Sequence, residues 1–307
     1  MIIQQTGRVV DRIYMLGNPA VPVYLLDGEH PAVIDAGFSF LGHHYASAIS
    51  EVLGSRTPAY CLLTHSHFDH CGSVSVLKSH FPEMKIVSSE QAKTTLARPN
   101  AIELIRELNR ASVKVFQRNG FIGDASIEFT PFEIDMTVKE GDLLKISPDR
   151  TLQVIETPGH TRDCLSYYVP EIRTLICSEA AGIADSTGYI VSDCLVDYDQ
   201  YVDSMKKLEL LDSEAICLAH RYAFTGQDAR NYIPRSLKYC DEFRNLVETC
   251  LAEEHGDIPR VMTRIRAVEY DLKQEPKQPE PAYLLNLEAR INAVGKRKAH
   301  LDEKINC

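Results

Sequence analysis

The sequence contains no apolar run that approaches the roughly 20 residues of a membrane-spanning helix. Its first residues, Met1 to Val10, also lack the basic segment, the apolar core and the small-residue cleavage site of a signal peptide. Basic residues are few, with 33 Lys and Arg against 43 Asp and Glu, so the formal net charge is -10. This balance disfavours a nucleic-acid backbone or an anionic membrane as a partner. We therefore expect a cytoplasmic protein that binds neither.

The nine cysteines are an odd number without any Cys-x-x-Cys pair, which argues against a disulfide framework or a zinc knuckle. We expect most of them to be buried free thiols that pack as small hydrophobic side chains. Cys71 directly follows a group of histidines, and we predict that it packs beneath that loop rather than acting as a ligand or a nucleophile. The hydrophobic content of 44% is ordinary for a globular protein with a sizeable core.

One short stretch, Thr64 to Gly72, places three imidazoles and one carboxylate close together: His65, His67, Asp69 and His70. An apolar run typical of a buried strand precedes it, and a run typical of a helix follows it. Sites in α/β proteins usually lie where a strand ends. Because imidazole is the commonest metal ligand, the stretch predicts a metal site.

Three more residues of ligand type follow apolar strands later in the chain. His160 lies in a Pro-Gly-His-Thr turn, Glu179 follows the strand Arg173 to Cys177, and His220 follows the strand Ala215 to Ala219. The other histidines have no such context and are predicted to be surface residues without convergent partners: His30, His43, His44, His80, His255 and His300.

The pattern His-x-His-x-Asp-His, with the later Pro-Gly-His-Thr, resembles the metallo-β-lactamase-fold hydrolases. The resemblance implies an α/β, four-layer αββα sandwich with a catalytic domain over residues 1–228 and a helical C-terminal extension over 229–307. A long amphipathic helix is predicted between the two motifs, from Pro99 to Asn119, where it could cover the site or pack on an extension.

The resemblance also implies a dinuclear centre. One ion would be bound by His65, His67 and His160, the second by Asp69, His70 and His220, with Glu179 bridging the two. The family usually has aspartate at the bridging position, so Glu179 is a departure. Its carboxylate is one methylene further out, and the second ion would bind weakly if Glu179 failed to reach it.

Such a ligand set suits zinc, with iron or manganese as alternatives. Relatives that reduce oxygen typically have glutamate where this chain has His67, which favours hydrolysis. Two divalent ions lower the pKa of a shared water and polarise the scissile group. Asp69 would orient that water and pass a proton to the leaving group, or would only bind the ion. Asp35 would orient the ligands through hydrogen bonds, or would simply accept backbone hydrogens in its turn.

The chain is most similar to the quinolone-signal thioesterase and effector subgroup, through the motif and through Arg106 to Arg110 and Leu152 to Glu156. This favours an ester or thioester substrate. A small-molecule phosphodiesterase and a regulatory protein that retains the fold are the alternatives. A glyoxalase-type thioesterase is disfavoured, because no basic substrate-binding tail is evident. The helical extension is also a candidate homodimer surface.

Overall fold

The computed structural model describes residues 1–118, 120, 124, 126–273 and 278–305. Its strands bury apolar side chains on both faces. In the strand Val21–Leu26, for example, Val23 and Leu25 point to one apolar cluster, whereas Tyr24 and Leu26 point to another. A strand buried on both faces belongs between two other layers. The alternation therefore predicts the layered packing that the sheets show.

The first sheet is mixed, with antiparallel pairs at its N-terminal end and parallel pairs from the strand Ala32–Ile34 onwards. Its strands, in spatial order, are β2 (Gly7–Val10), β3 (Ile13–Asn18), β4 (Val21–Leu26), β5 (Ala32–Ile34), β6 (Tyr60–Leu62), β7 (Lys85–Ser88) and β8 (Met136–Thr137).

The second sheet is antiparallel except that the strands Thr174–Ser178 and Ala215–Leu218 are parallel. Its strands, in spatial order, are β1 (Ile2–Ile3), β16 (Ala223–Thr225), β15 (Ala215–Leu218), β12 (Thr174–Ser178), β11 (Leu165–Val169), β10 (Arg150–Glu156) and β9 (Leu143–Ser147). A separate hairpin joins β13 (Ile183–Ala184) to β14 (Ile190–Val191).

Helices cover the outer faces of both sheets. They are α1 (Gly42–Leu53), α2 (Phe68–Cys71), α3 (Val74–His80), α4 (Glu90–Leu96), α5 (Pro99–Arg118), α6 (Tyr198–Glu209), α7 (Gln227–Arg230), α8 (Tyr232–Glu253), α9 (Ile258–Arg266) and α10 (Glu280–Ile305). A π-helical turn, Ala267–Asp271, continues α9.

Three apolar clusters correspond to the three interfaces between these layers. One lies between the sheets and includes Met15 and Tyr167, which are completely buried. The second packs α1, α3 and α5 on the first sheet, and the third packs α6, α8, α9 and α10 on the second sheet. The predicted four-layer αββα sandwich with C-terminal helices is confirmed. The boundary at residue 228 stays a prediction, and residues from both sides of it share the third cluster.

The helix predicted from Pro99 is confirmed as far as Arg118, and Asn119 lies outside the described residues. It packs on the first sheet beside the histidine-rich loop. Asn109 accepts a hydrogen bond from the Ser39 backbone N–H and donates one to the carbonyl of Phe68. The inserted helix therefore supports the loop from behind.

The cysteine prediction also agrees with the structure over the described residues. Eight cysteines are buried and free, while Cys307 lies outside the described residues. Cys71 lies beneath the loop as predicted, with its Sγ 3.7 Å from the carbonyl oxygen of Ser66. Over the part of the chain that is described, no helix combines the length and the hydropathy needed to cross a bilayer.

Candidate metal centre

The candidate site lies where strands of both sheets end. The loop after β6 carries His65 and His67, and the short helix α2 then carries Asp69 and His70. In the second sheet, His160 follows β10. Glu179 follows β12 and His220 follows β15. These strand ends converge on one edge of the sandwich.

All seven residues singled out in the sequence meet at this edge. They form two groups, in each of which one potential ligand atom per residue lies within 4.8 Å of the others. The first group is His65, His67 and His160, and the second is Asp69, His70, Glu179 and His220. The structure therefore brings together every residue that sequence reasoning selected, with Glu179 in the same group as Asp69, His70 and His220. That these residues bind metal ions stays a prediction.

Asp35 anchors the first half of the site from below. It has a left-handed backbone with φ of 62°, which aspartate tolerates better than most residues. Its carboxylate accepts hydrogen bonds from the backbone and the hydroxyl of Thr64. It also lies 2.8 Å from His70 Nδ1. This contact supports the orienting role considered for Asp35, because it fixes the His70 ring.

His160 and His220 are held in the same way. His160 Nδ1 lies 2.9 Å from the carbonyl oxygen of Asp193, and His220 Nδ1 lies 3.1 Å from that of Ala20. An Nδ1–H that donates to a carbonyl fixes the tautomer and directs the Nε2 lone pair towards the centre.

Glycine is required immediately before His160. Gly159 has φ of 130°, and a Cβ at this position would lie 2.3 Å from the Cα of Tyr201. The N-terminal turn of α6 can therefore pack directly on the backbone that carries His160. This close contact is the steric reason why the Pro-Gly-His turn has a glycine before His160.

The Glu179 carboxylate lies between His65 on one side and the pair His70 and His220 on the other. Its Oε1 lies 2.9 Å from both His70 Nε2 and His220 Nε2. Its Oε2 lies 3.8 Å from His65 Nε2, on the other side. The side chain is buried, and its carboxylate stands between the two groups.

Burial and the neighbouring imidazoles and carboxylates shift the pKa values of the residues in the centre. Burial, together with the neighbouring His70 and His67, holds the pKa of His65 well below its ordinary value. Burial and His160 lower the pKa of His67 to about 4. Burial alone would raise the pKa of Glu179, but His70 and the other imidazoles outweigh it and hold this pKa well below the ordinary value.

Burial lowers the pKa of His70, but Glu179 and Asp35 outweigh it and hold this pKa well above the ordinary value. Asp193 likewise outweighs burial and raises the pKa of His160 to about 9. A metal must displace these protons, because it binds the neutral imidazole.

The donor set fits a divalent cation. His65 Nε2 is completely buried, and among the described residues it has no hydrogen-bond partner. Unpaired buried polar atoms are costly, so such an atom requires an explanation. The Nδ1 atoms of His70 and His220 are already engaged, so in their neutral forms these imidazoles would direct Nε2 lone pairs at the Glu179 carboxylate. Lone pairs that face one another at these distances are stabilised by a cation between them, and imidazole with carboxylate suits zinc, iron or manganese.

Access to the centre is one-sided. The side chains of His65, His70, His160 and Glu179 are buried, whereas those of Asp69 and His220 are 15% and 17% exposed and that of His67 is half-buried. The centre is therefore open to solvent on the side of His67, Asp69 and His220.

Sequence reasoning missed residues that support the site without lying in a motif. Asp193 follows the short strand β14 without any distinctive spacing, and Tyr201 is one of several buried positions on α6. One prediction was wrong: His43 and His80 are exposed, but they are not without a partner, since His43 Nδ1 lies 2.8 Å from His80 Nε2. The side chain of His300 lies outside the described residues.

Known proteins resemble the chain over most of its length. A hydroxyacylglutathione hydrolase of Hamiltonella defensa is 27% identical over 210 residues, which are 67% of this chain but just under two thirds, 64%, of that protein. A hydroxyacylglutathione hydrolase of Pectobacterium carotovorum is 24% identical over 278 residues, 87% of this chain and 88% of that protein. A metallo-beta-lactamase family protein of Thermus thermophilus has a similar fold, with a TM-score of 0.65 at 17% identity and 95% of each chain covered.

The model of the Metallo-beta-lactamase superfamily matches residues 16–220, which include the whole histidine-rich loop and each later residue of the centre. This match extends over more than half of the chain. The chain belongs to the metallo-β-lactamase superfamily.

Proposed function

We propose that this protein is a dinuclear metal-dependent hydrolase that cleaves a small-molecule thioester or ester. The observation that carries the proposal is the convergence of five imidazoles and two carboxylates around the unpaired, buried His65 Nε2. His65, His67 and His160 would hold one ion, and Asp69, His70 and His220 the other, with Glu179 between them. When bound, the two ions supply a water of lowered pKa and polarise the carbonyl of the substrate.

Asp69 is the residue we assign to proton transfer. Its carboxylate lies on the accessible side, with Oδ2 3.6 Å from His220 Nε2 and Oδ1 3.8 Å from His70 Nε2. There it would accept a proton from the attacking water at a carboxylate oxygen and return it to the leaving sulfur or oxygen. A positioned acid or base of this kind contributes about 10²- to 10⁴-fold to the rate.

One observation supports a thioester in particular. The relatives named above are hydroxyacylglutathione hydrolases, which are thioesterases. Such names favour the thioester class, although the absence of an evident basic tail led the sequence reasoning away from the glyoxalase type. A hydroxyacylglutathione therefore belongs in any substrate panel. The net charge of -10 makes a polyanionic substrate unfavourable.

The test combines elemental analysis with a substrate panel. Purified protein is expected to contain two divalent ions per chain, with zinc, iron or manganese identified directly. The panel contains a hydroxyacylglutathione, a fatty acyl thioester, a carboxylic ester and a small phosphodiester, and we expect the highest kcat/KM on a thioester.

His67→Ala should abolish both the full metal content and the turnover, because it removes a candidate ligand. His80→Ala is the matched control, since it removes an exposed imidazole away from the centre and should change neither. Preferential turnover of the phosphodiester would establish the alternative hydrolase. A protein that holds two ions but cleaves no member of the panel would contradict the proposal.

A further inference from the structure

The turn that carries Glu179 has an unusual backbone. A short 3-10 turn, Glu179–Ala181, follows β12 and lies between two residues with positive φ, Ser178 at 48° and Gly182 at 83°. Serine rarely adopts this conformation, because its Cβ is then crowded by the backbone. Strained backbone of this kind persists only where the surrounding structure holds it in place.

Three buried hydroxyls from the helical layer hold this turn by its carbonyl oxygens. Tyr201 on α6 donates to the carbonyl of Glu179 at 2.9 Å. On α8, Ser236 donates to the carbonyl of Ala181 at 2.6 Å, and Tyr232 donates to that of Gly182 at 3.1 Å.

The approach of α8 to the turn is close. Tyr232 and Ser236 are four residues apart, so they project from one face of the helix. A Cβ on Gly182 would lie 3.0 Å from Ser236 Oγ and 2.6 Å from Ile190 Cγ2. The helix therefore contacts the backbone of the turn itself.

The segment after the turn is also tied to the C-terminal helices. Lys273 forms an ion pair with Asp185 at 2.7 Å, and Tyr189 donates to Glu269 Oε1 at 3.0 Å. The segment then ends at Asp193, which accepts the hydrogen bond from His160. Both ends of this stretch thus reach the candidate metal centre.

The geometry points to Tyr232 and Ser236 as positioning residues for the Glu179 carboxylate. By holding the carbonyls of a strained turn, the two hydroxyls keep Glu179 extended between His65 and the pair His70 and His220. The helices beyond residue 228 would then contribute to metal affinity rather than only covering the sheet. This inference rests on the two-ion centre of the proposed function, but its readout is metal binding, which needs no substrate.

The test is titration of the full-length, metal-free protein with Co²⁺, followed by the visible absorption of bound cobalt and by calorimetry. In Tyr232→Phe/Ser236→Ala the second ion should bind about 10- to 100-fold more weakly, the usual range for loss of a residue that orients a ligand. The first ion should lose less affinity, because the turn carries none of His65, His67 and His160. The cobalt spectrum of the fully loaded variant should change as well.

Tyr198→Phe is the matched control. Tyr198 is a buried tyrosine on α6, and its hydroxyl donates to the Cys240 carbonyl on α8. The substitution therefore removes a tyrosine hydroxyl between the same two helices without removing a contact to the turn. It should bind both ions within about threefold of wild type. If the double variant does not fold, Ser236→Ala alone carries the test, with an expected loss of about tenfold.

Unchanged affinity for the second ion in the variants would overturn the inference, even if their metal-free forms unfold at lower temperature. Equal weakening in Tyr198→Phe would also overturn it, because the effect would then be a general one of helix packing. A wild-type protein that binds only one ion would instead contradict the proposed function.

Discussion

Two buried glutamates of this chain illustrate how differently a carboxylate can be accommodated. Glu269, between the C-terminal helices, accepts hydrogen bonds from Tyr189 and Tyr283 and from both terminal nitrogens of Arg290. The Arg290 guanidinium in turn lies 4.0 Å from the centre of the Phe243 ring. The charge of this carboxylate is matched by a cation of the protein itself.

Glu179 has no arginine or lysine beside it among the described residues. Its oxygens face His65, His70 and His220, and the hydroxyl of Ser178. The Nδ1 atoms of His70 and His220 are already bonded elsewhere. A buried charge must be compensated, and in the first cluster a permanent cation does this. In the second cluster the compensating groups are imidazoles with raised pKa values, whose protons a metal ion can replace. The comparison separates a structural ion pair from a candidate catalytic centre by chemistry alone.

The largest effect is expected from Asp69→Asn, which breaks only the candidate centre. The amide keeps the shape of the side chain but cannot accept a proton and is a poor ligand. We expect kcat for thioester hydrolysis, followed by thiol release, to fall about 10²- to 10⁴-fold. The unfolding free energy of the metal-free protein should hardly change, and a kcat within tenfold of wild type would remove Asp69 from the proton-transfer role.

Glu269→Gln addresses the other cluster. Removing one charge of a buried pair leaves Arg290 uncompensated, which typically costs about 3–5 kcal/mol of unfolding free energy. Chemical denaturation of the metal-free protein measures this loss. The folded variant should still bind two ions, and a loss below about 1 kcal/mol would show that the pair is less isolated from water than the structure indicates.

The same variant has a defined pH dependence. Burial would raise the pKa of Glu269, but Arg290 outweighs it and lowers this pKa below its ordinary value of 4.5. The stabilisation from ionised Glu269 is therefore complete above pH 4.5 and is lost as the pH falls through the lowered, folded-state pKa. The stability difference between wild type and Glu269→Gln should be largest near neutral pH and should shrink in acid. A difference that grows below pH 4.5 would contradict the assigned ion pair.

The smallest effect is expected from Asp35→Asn, which sharpens the description of the candidate centre. The amide retains one oxygen, so Thr64 keeps an acceptor while the bond to His70 Nδ1 is weakened. Loss of such an orienting partner typically lowers metal affinity about 10- to 100-fold, and we expect the lower end here. Titration of the metal-free protein with Zn²⁺ checks this, and unchanged affinity would leave Asp35 with only its role in the turn.

The seven residues could be selected because they lie in motifs or directly after apolar strands, whereas the four-layer sandwich is what the family resemblance implies. Strands such as Val21–Leu26 show their apolar character within a few positions. The stretch from Phe132 to Val138 has the composition of a strand, but only Met136–Thr137 pairs with the sheet. Apolar residues such as Phe132 and Ile134 pack under α5 instead, and sequence periodicity does not distinguish that burial from strand pairing.

By itself, the sequence determined which atoms are available to bind a metal and that they lie at strand ends, because both properties depend on residue type and local pattern. Only the tertiary structure decided that Glu179 spans the two groups of ligands and that Tyr232 and Ser236 hold its turn. These contacts join residues about 40 or more positions apart, and their geometry depends on the packing of α6 and α8 against the second sheet. No local pattern encodes such a distance, whereas close packing fixes it to within a few tenths of an ångström.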